Sequence, residues 1–253
     1  MKKIGILGGV GWPSTVDYYT GLCRLAEAQH RAQGSAGIPS FPEMIIESLD
    51  LRTAMARFGQ DDDEASWAEF DRYHREALLR LQAAGAEIAV MASNSPHHRF
   101  AAITHGLSLP VIDLFALVAE TCGSFPSPQV ILLGTALTLR SQVFRGHFAR
   151  RGLRAAPPSA ALQAEVVALL AAVHRGDTTS PAMLESLAQR ALAEAGDRAS
   201  VVCLACTELP LLFGREAEAT VFVRDGICYL NPGALHVAAL FQQAGGTEGS
   251  DRG

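Results

Sequence analysis

The feature that most constrains this chain is an internal echo. Ile88-Ala89-Val90-Met91-Ala92 runs straight into Ser93-Asn94-Ser95, and Val201-Val202-Cys203-Leu204-Ala205 runs straight into Cys206-Thr207-Glu208. Two further segments repeat in the same order, Ile4-Gly5-Ile6-Leu7-Gly8-Gly9 and Val130-Ile131-Leu132-Leu133-Gly134-Thr135. Short runs that are apolar at every position read as strands buried on both faces, as in a parallel sheet sandwiched by helices. The echo therefore predicts two similar α/β halves built on parallel sheets. Ligands of open parallel sheets bind at the carboxyl ends of the strands, which places the expected active site in a cleft between the halves.

The segments between the strands read as helices. Ser14-Thr15-Val16-Asp17 has a hydroxyl followed three residues later by an acid, a helix-start pattern after Pro13. The acidic run Asp61–Glu64 opens another helix, where negative charge meets the positive end of the macrodipole. Trp67, Phe70, Tyr73, Ala77, Leu78 and Leu81 follow at helical spacing, so they face a core. In the second half, 160–173 and 182–195 are the expected helices. The junction is expected in the Gly/Ser/Pro stretch Gly123–Pro128. A last strand and helix, about 227–243, are expected to return to the first half. The domains are then 1–122 with about 226–245, and 123–225, followed by a disordered polar tail at 246–253.

Composition narrows the class. The formal net charge of −5 comes without a basic stripe, which argues against nucleic acid and anionic membrane as partners. No apolar run is long enough to span a bilayer, and the glycine-broken start Met1–Gly9 reads as a first strand, not a signal peptide. The 5 cysteines are odd in number and scattered, which suits reduced thiols in the cytoplasm better than a disulfide scaffold.

Three motifs carry the chemistry. Gly8-Gly9-Val10-Gly11-Trp12-Pro13-Ser14-Thr15 resembles the opening loop of the aspartate/glutamate racemases. Ser93-Asn94-Ser95-Pro96-His97 stands in the place of their first cysteine motif, with serine where cysteine is usual. Cys206-Thr207-Glu208 matches their second. The resemblance covers nearly the whole chain, with the motifs in the family's order. The family's final motif, an Asp-Thr followed by His, is present only as Asn231-Pro232-Gly233-Ala234-Leu235-His236.

That resemblance implies two Rossmann-like α/β domains related by a pseudo-two-fold, a cofactor-independent isomerase, a racemase of aspartate, glutamate or a related amino or carboxylic acid, and commonly a homodimer. Cys206 and Ser93 would be the acid/base pair on opposite faces of Cα, since a thiol populates both protonation states near neutrality. Asn94, Ser95 and Thr207 would hold the substrate carboxylate, with Thr135, Arg52 and Gly9 as further contacts. Glu208 would tune the Cys206 thiol and His97 would support the first motif. A single-cysteine decarboxylase or isomerase on the same scaffold, or an inactive carboxylate-binding protein, are the alternatives.

Blander readings stand beside these. Cys206 could be an inert core thiol, although the polar Thr207-Glu208 directly after a buried strand is costly to explain structurally. The C-x-x-C spacing of Cys203 and Cys206 invites a redox or metal site, yet on a strand the two side chains point to opposite faces. No metal is expected. Cys23, Cys122 and Cys228 read as small core hydrophobes. The loop at Gly9–Ser14 approximates a dinucleotide fingerprint, but it lacks the third glycine and the acid about twenty residues on.

Overall fold

In a computed structural model that describes residues 1–34, 36–60, 62–175, 181–196 and 199–246, the chain forms two α/β units. The first comprises Met1–Asp113 and His236–Gly253, the second Leu114–Leu235.

The first unit is built on strand β1 (Ile4–Gly8), with β2 (Met44–Ser48) and β3 (Ile88–Met91) parallel to it on either side. Every residue of β1 and β3 is buried, as the unbroken apolar runs require. Helix α1 (Trp12–Ala32) follows β1, and α2 (Leu51–Met55) follows β2. A 3-10 turn at Glu64–Trp67 leads into α3 (Ala68–Ala83). Asp63 caps that turn through its carboxylate, so the acidic run does start a helical segment; Asp61 lies outside the described residues. Trp67, Phe70, Ala77, Leu78 and Leu81 all sit in the core cluster against β1 and β3. A second 3-10 turn at Ser95–Arg99 and α4 (Phe100–Thr104) complete this part.

The second unit starts with α5 (Leu114–Cys122) and is built on β4 (Gln129–Gly134), with β5 (Arg154–Ala156) and β6 (Ala199–Ala205) parallel on either side. Helices α6 (Ala136–Arg140), α7 (Gln142–Ala149), α8 (Ala160–His174) and α9 (Pro181–Ala195) cover the sheet. After a 3-10 stretch at Leu209–Glu218, β7 (Val221–Arg224) and β8 (Ile227–Leu230) form an antiparallel hairpin whose inner strand β8 is parallel to β6. Its two-residue turn, Asp225-Gly226, has positive φ at both positions, the geometry that matches strand twist. Helix α10 (Pro232–Gln243) follows.

The echo in the sequence is an echo in topology. In each unit the first strand is central, the second pairs on one side and the third on the other: β2-β1-β3 and β5-β4-β6. Even β8 has a reduced counterpart, because Ala89 on β3 forms a parallel bridge with Val111.

Several boundaries differ from the sequence reading. The division falls at Asp113/Leu114, not in Gly123–Pro128, because α5 buries Leu114, Phe115, Val118 and Cys122 in a cluster with β4 and β6. The returning segment begins at His236, not near 226, because β8 is held by β6 and β7. The end of α10 does return: the Ala244 carbonyl accepts from the Lys2 N–H at 2.7 Å. The tail expected at 246–253 falls, from 247 on, outside the described residues. Helix α1 starts earlier than its sequence pattern suggested, at Trp12, with Gly11 at the cap position and no side-chain cap. Ser14 is buried inside it and caps nothing.

Candidate active site

In each unit the sheet's carboxyl edge gathers the residues singled out above. In the second, Thr135 follows β4, Cys206-Thr207-Glu208 follows β6, and Asn231 follows β8, three neighbouring strands of one sheet. Cys206 is only 6 % exposed and packs against the core cluster that includes Leu204, Leu209 and Tyr229. Its thiol donates to Glu208 Oε2 at 2.8 Å, and the Thr207 hydroxyl donates to the same oxygen at 3.2 Å. Burial pushes the Cys206 thiol well above its ordinary pKa, and the negative charge of Glu208 adds to that. The backbone N–H groups of Thr207 and Glu208 act in the opposite direction, as donors that favour a thiolate. Glu208 therefore acts on the Cys206 thiol in the upward direction, toward the protonated form.

Cys203 lies in a different cluster, with Cys122, Leu132 and Ala205, on the other face of β6. The C-x-x-C spacing therefore brings no pair of thiols together. Among the described residues no group of three or more His, Cys, Asp or Glu is arranged to hold a metal.

Thr135 caps α6, its hydroxyl accepting from the Thr138 N–H at 3.3 Å and lying 3.1 Å from the Thr138 hydroxyl. Asn231 is likewise a cap: its Oδ1 accepts from the N–H groups of Gly233 and Ala234 at 2.9 and 3.2 Å, starting α10. The remnant of the family's final motif is thus a helix start, and sequence reading gave no role to this asparagine.

In the first unit, Gly9 follows β1, Arg52 sits in α2 after β2, and Ser93-Asn94-Ser95 follow β3. Ser93 and Ser95 are half-buried and Asn94 is buried. Gly9 has φ +88, and a Cβ there would lie 2.1 Å from the Leu49 carbonyl oxygen. Its N–H donates to the Thr15 hydroxyl at 2.9 Å. Gly9 is therefore a packing requirement, and its amide is engaged within the loop. Arg52 is exposed on α2, whose start is capped by Asp50.

His97 is fully buried. Its Nε2 lies 3.2 Å from the Met91 carbonyl, and its Nδ1 lies 3.5 Å from Asp113. The ring stacks on Phe100 and meets His236 edge-on at 5.5 Å between centroids. His236 donates from Nε2 to the Ile112 carbonyl at 3.1 Å, which leaves Nδ1 to accept from the Tyr18 hydroxyl at 2.8 Å. Burial, with a smaller contribution from His97, brings His236 down to about 3. Asp113 escaped sequence reading. The signal was present, because it follows Val111-Ile112 as a polar residue at a strand's carboxyl end.

The family model for Asp/Glu/hydantoin racemases matches residues 7–240, and the chain belongs to that family. A curated relative, the broad specificity amino-acid racemase RacX of Bacillus subtilis, is 25% identical over 208 residues, 81% of this chain and 85% of that protein. Two solved structures share the fold. An aspartate racemase homologue from Pyrococcus horikoshii is 23% identical with a TM-score of 0.74, over 96% of this chain and 99% of that one. The Picrophilus torridus aspartate racemase is 20% identical with a TM-score of 0.72, over 98% and 96%. No helix among the described residues is long and apolar enough to cross a membrane.

Proposed function

We propose that this chain is a cofactor-independent amino-acid racemase that moves a proton at Cα, with Cys206 as one acid/base and Ser93 as the other. Family membership supports the reaction class, and the name of the Bacillus subtilis relative supports an amino-acid substrate. The observation that carries the mechanism is the Cys206–Glu208 hydrogen bond at the carboxyl end of a buried strand. A thiol held in its protonated form is ready to donate to a carbanion. To abstract a proton it must first pass its own to Glu208, and the Thr207 and Glu208 amides then stabilise the thiolate. Asn94, Ser95 and Thr207 are the proposed holders of the substrate carboxylate, where charge grows as Cα is deprotonated. Arg52 is the proposed contact for a distal carboxylate. A cytoplasmic homodimer is part of the same reading.

The serine supports a second reading. A hydroxyl is a far weaker acid than a thiol, so Ser93 in the place of the first cysteine also suits a one-cysteine decarboxylase or isomerase. Incubation with a panel of amino and dicarboxylic acids in deuterium oxide separates the two. Racemisation gives α-deuterium with inversion, decarboxylation gives carbon dioxide, and a mere binder gives neither.

A further inference from the structure

The second unit has a cavity of about 580 Å³ far from its candidate catalytic residues. It opens beside the edge strand β5 and is lined by Gln129, Arg145, Arg154 and Glu194, with Ile131 and Leu153 among its apolar walls. Gln129 is the first residue of β4, whereas Thr135 follows the last, so roughly 20 Å of strand separates the two ends. The volume lies within the range of small-ligand sites, about 300–1,000 Å³.

The polar groups on this cavity are under-used. Arg145 makes one hydrogen bond among the described residues, from Nη2 to the Leu139 carbonyl at 2.7 Å, and its buried Nε has no partner there. Gln129 is 7 % exposed, its backbone lies in the β4 ladder, and its carboxamide makes no hydrogen bond among the described residues. Glu194 supplies the opposite charge; its Oε2 accepts from the Ser159 N–H at 2.8 Å, which holds its carboxylate below the usual range. One cavity thus offers a cation, an anion, a carboxamide and an apolar wall.

We propose that this cavity is a second binding site, for a free α-amino acid with an apolar side chain. The ligand's carboxylate lies on Arg145 and Gln129, its ammonium on Glu194, and its side chain on Ile131 and Leu153. Because Arg145 also holds the carbonyl of Leu139 in α6, the helix that Thr135 caps, occupancy reaches the catalytic edge of the same sheet through two hydrogen bonds. The site stands whether or not the racemase reading does, since it uses none of the same residues.

Calorimetric titration of the full chain with L- and D-leucine tests it. Saturable binding is expected for wild type, unchanged in Cys206→Ser and about tenfold weaker in Glu194→Gln, which keeps the acceptor for Ser159 and loses the charge. Arg145→Met is expected to weaken binding at least as much. Leucinamide, without the carboxylate, and 4-methylpentanoate, without the amine, are expected to bind wild type about tenfold more weakly than leucine. These two ligands test the site even if a variant does not fold. No binding up to about 10 mM overturns the proposal. So does binding that ignores Glu194→Gln and both ligand changes, or binding lost in Cys206→Ser.

Discussion

The Cys206 thiol donates a 2.8 Å hydrogen bond to the Glu208 carboxylate two residues on, and the same carboxylate raises the thiol's pKa. In the proposed mechanism this pair is a proton store whose release depends on Glu208. In Glu208→Gln the charge is gone but the shape is kept, so the pH midpoint for alkylation of Cys206 should move down. Turnover should fall at least tenfold or so, because the thiol has lost the group that takes its proton. Alkylation rates against pH, alongside turnover, check this. A lower midpoint with unchanged turnover would show that Glu208 tunes the thiol without serving as its proton acceptor.

Gly9→Ala should destabilise the chain by at least about 3 kcal/mol, combining the positive-φ penalty with a collision against backbone that cannot rotate away. Urea unfolding measures it. A loss below about 1 kcal/mol would mean that the β1 loop and Leu49 are not packed as described.

His236 gives a pH dependence with a definite sign. Its folded pKa of about 3 lies below the unfolded value near 6.5, so it stays neutral in the fold while the unfolded chain binds a proton. Its contribution is fully present above pH 6.5 or so and is lost as the pH falls toward about 3. His98, depressed to about 3 chiefly by burial, adds in the same direction. His236→Gln should flatten the fall in stability between about pH 6 and 4 by up to about 1.4 kcal/mol per pH unit. An unaltered slope would place the acid sensitivity elsewhere.

The repeat made the sheets legible, because strands buried on both faces leave apolar runs that nothing else in the chain imitates. Helices α8 and α9 were legible as long segments rich in alanine and leucine, strong helix formers. The hairpin Val221–Leu230 was not, although Asp225-Gly226 is the dipeptide that a two-residue turn prefers; β7 is half-exposed and short, so its pattern is weak. The unit boundary was misplaced because a Gly/Ser/Pro stretch marks a loop, while a boundary depends on what α5 packs against. At the site, the strand-end rule located Ser93, Thr135 and Cys206. It did not show which of these residues also hold the fold, as Gly9 and Thr135 do through packing and capping. The set His97, Asp113, His236 and Tyr18 rests on contacts of long sequence separation that no local pattern encodes.

Ser93→Cys restores the pair of thiols usual in the family and should raise racemisation, whereas Ser93→Ala should lower it at least tenfold or so. Chiral chromatography of the products reports both. Lower racemisation in Ser93→Cys with no change in Ser93→Ala would remove Ser93 from the proton relay and favour the one-cysteine reading.

The most direct test is solvent deuterium incorporation at Cα by wild type and Cys206→Ser, with each enantiomer of the best amino-acid substrate. Wild type should wash deuterium into both enantiomers with inversion. The enantiomer whose α-proton faces Cys206 should also exchange without inversion, because return of deuterium from the thiol outruns delivery from the weakly acidic Ser93. Cys206→Ser should lose at least about a hundredfold of this exchange. Near-normal exchange in Cys206→Ser, or none in wild type with any amino acid, would contradict the account.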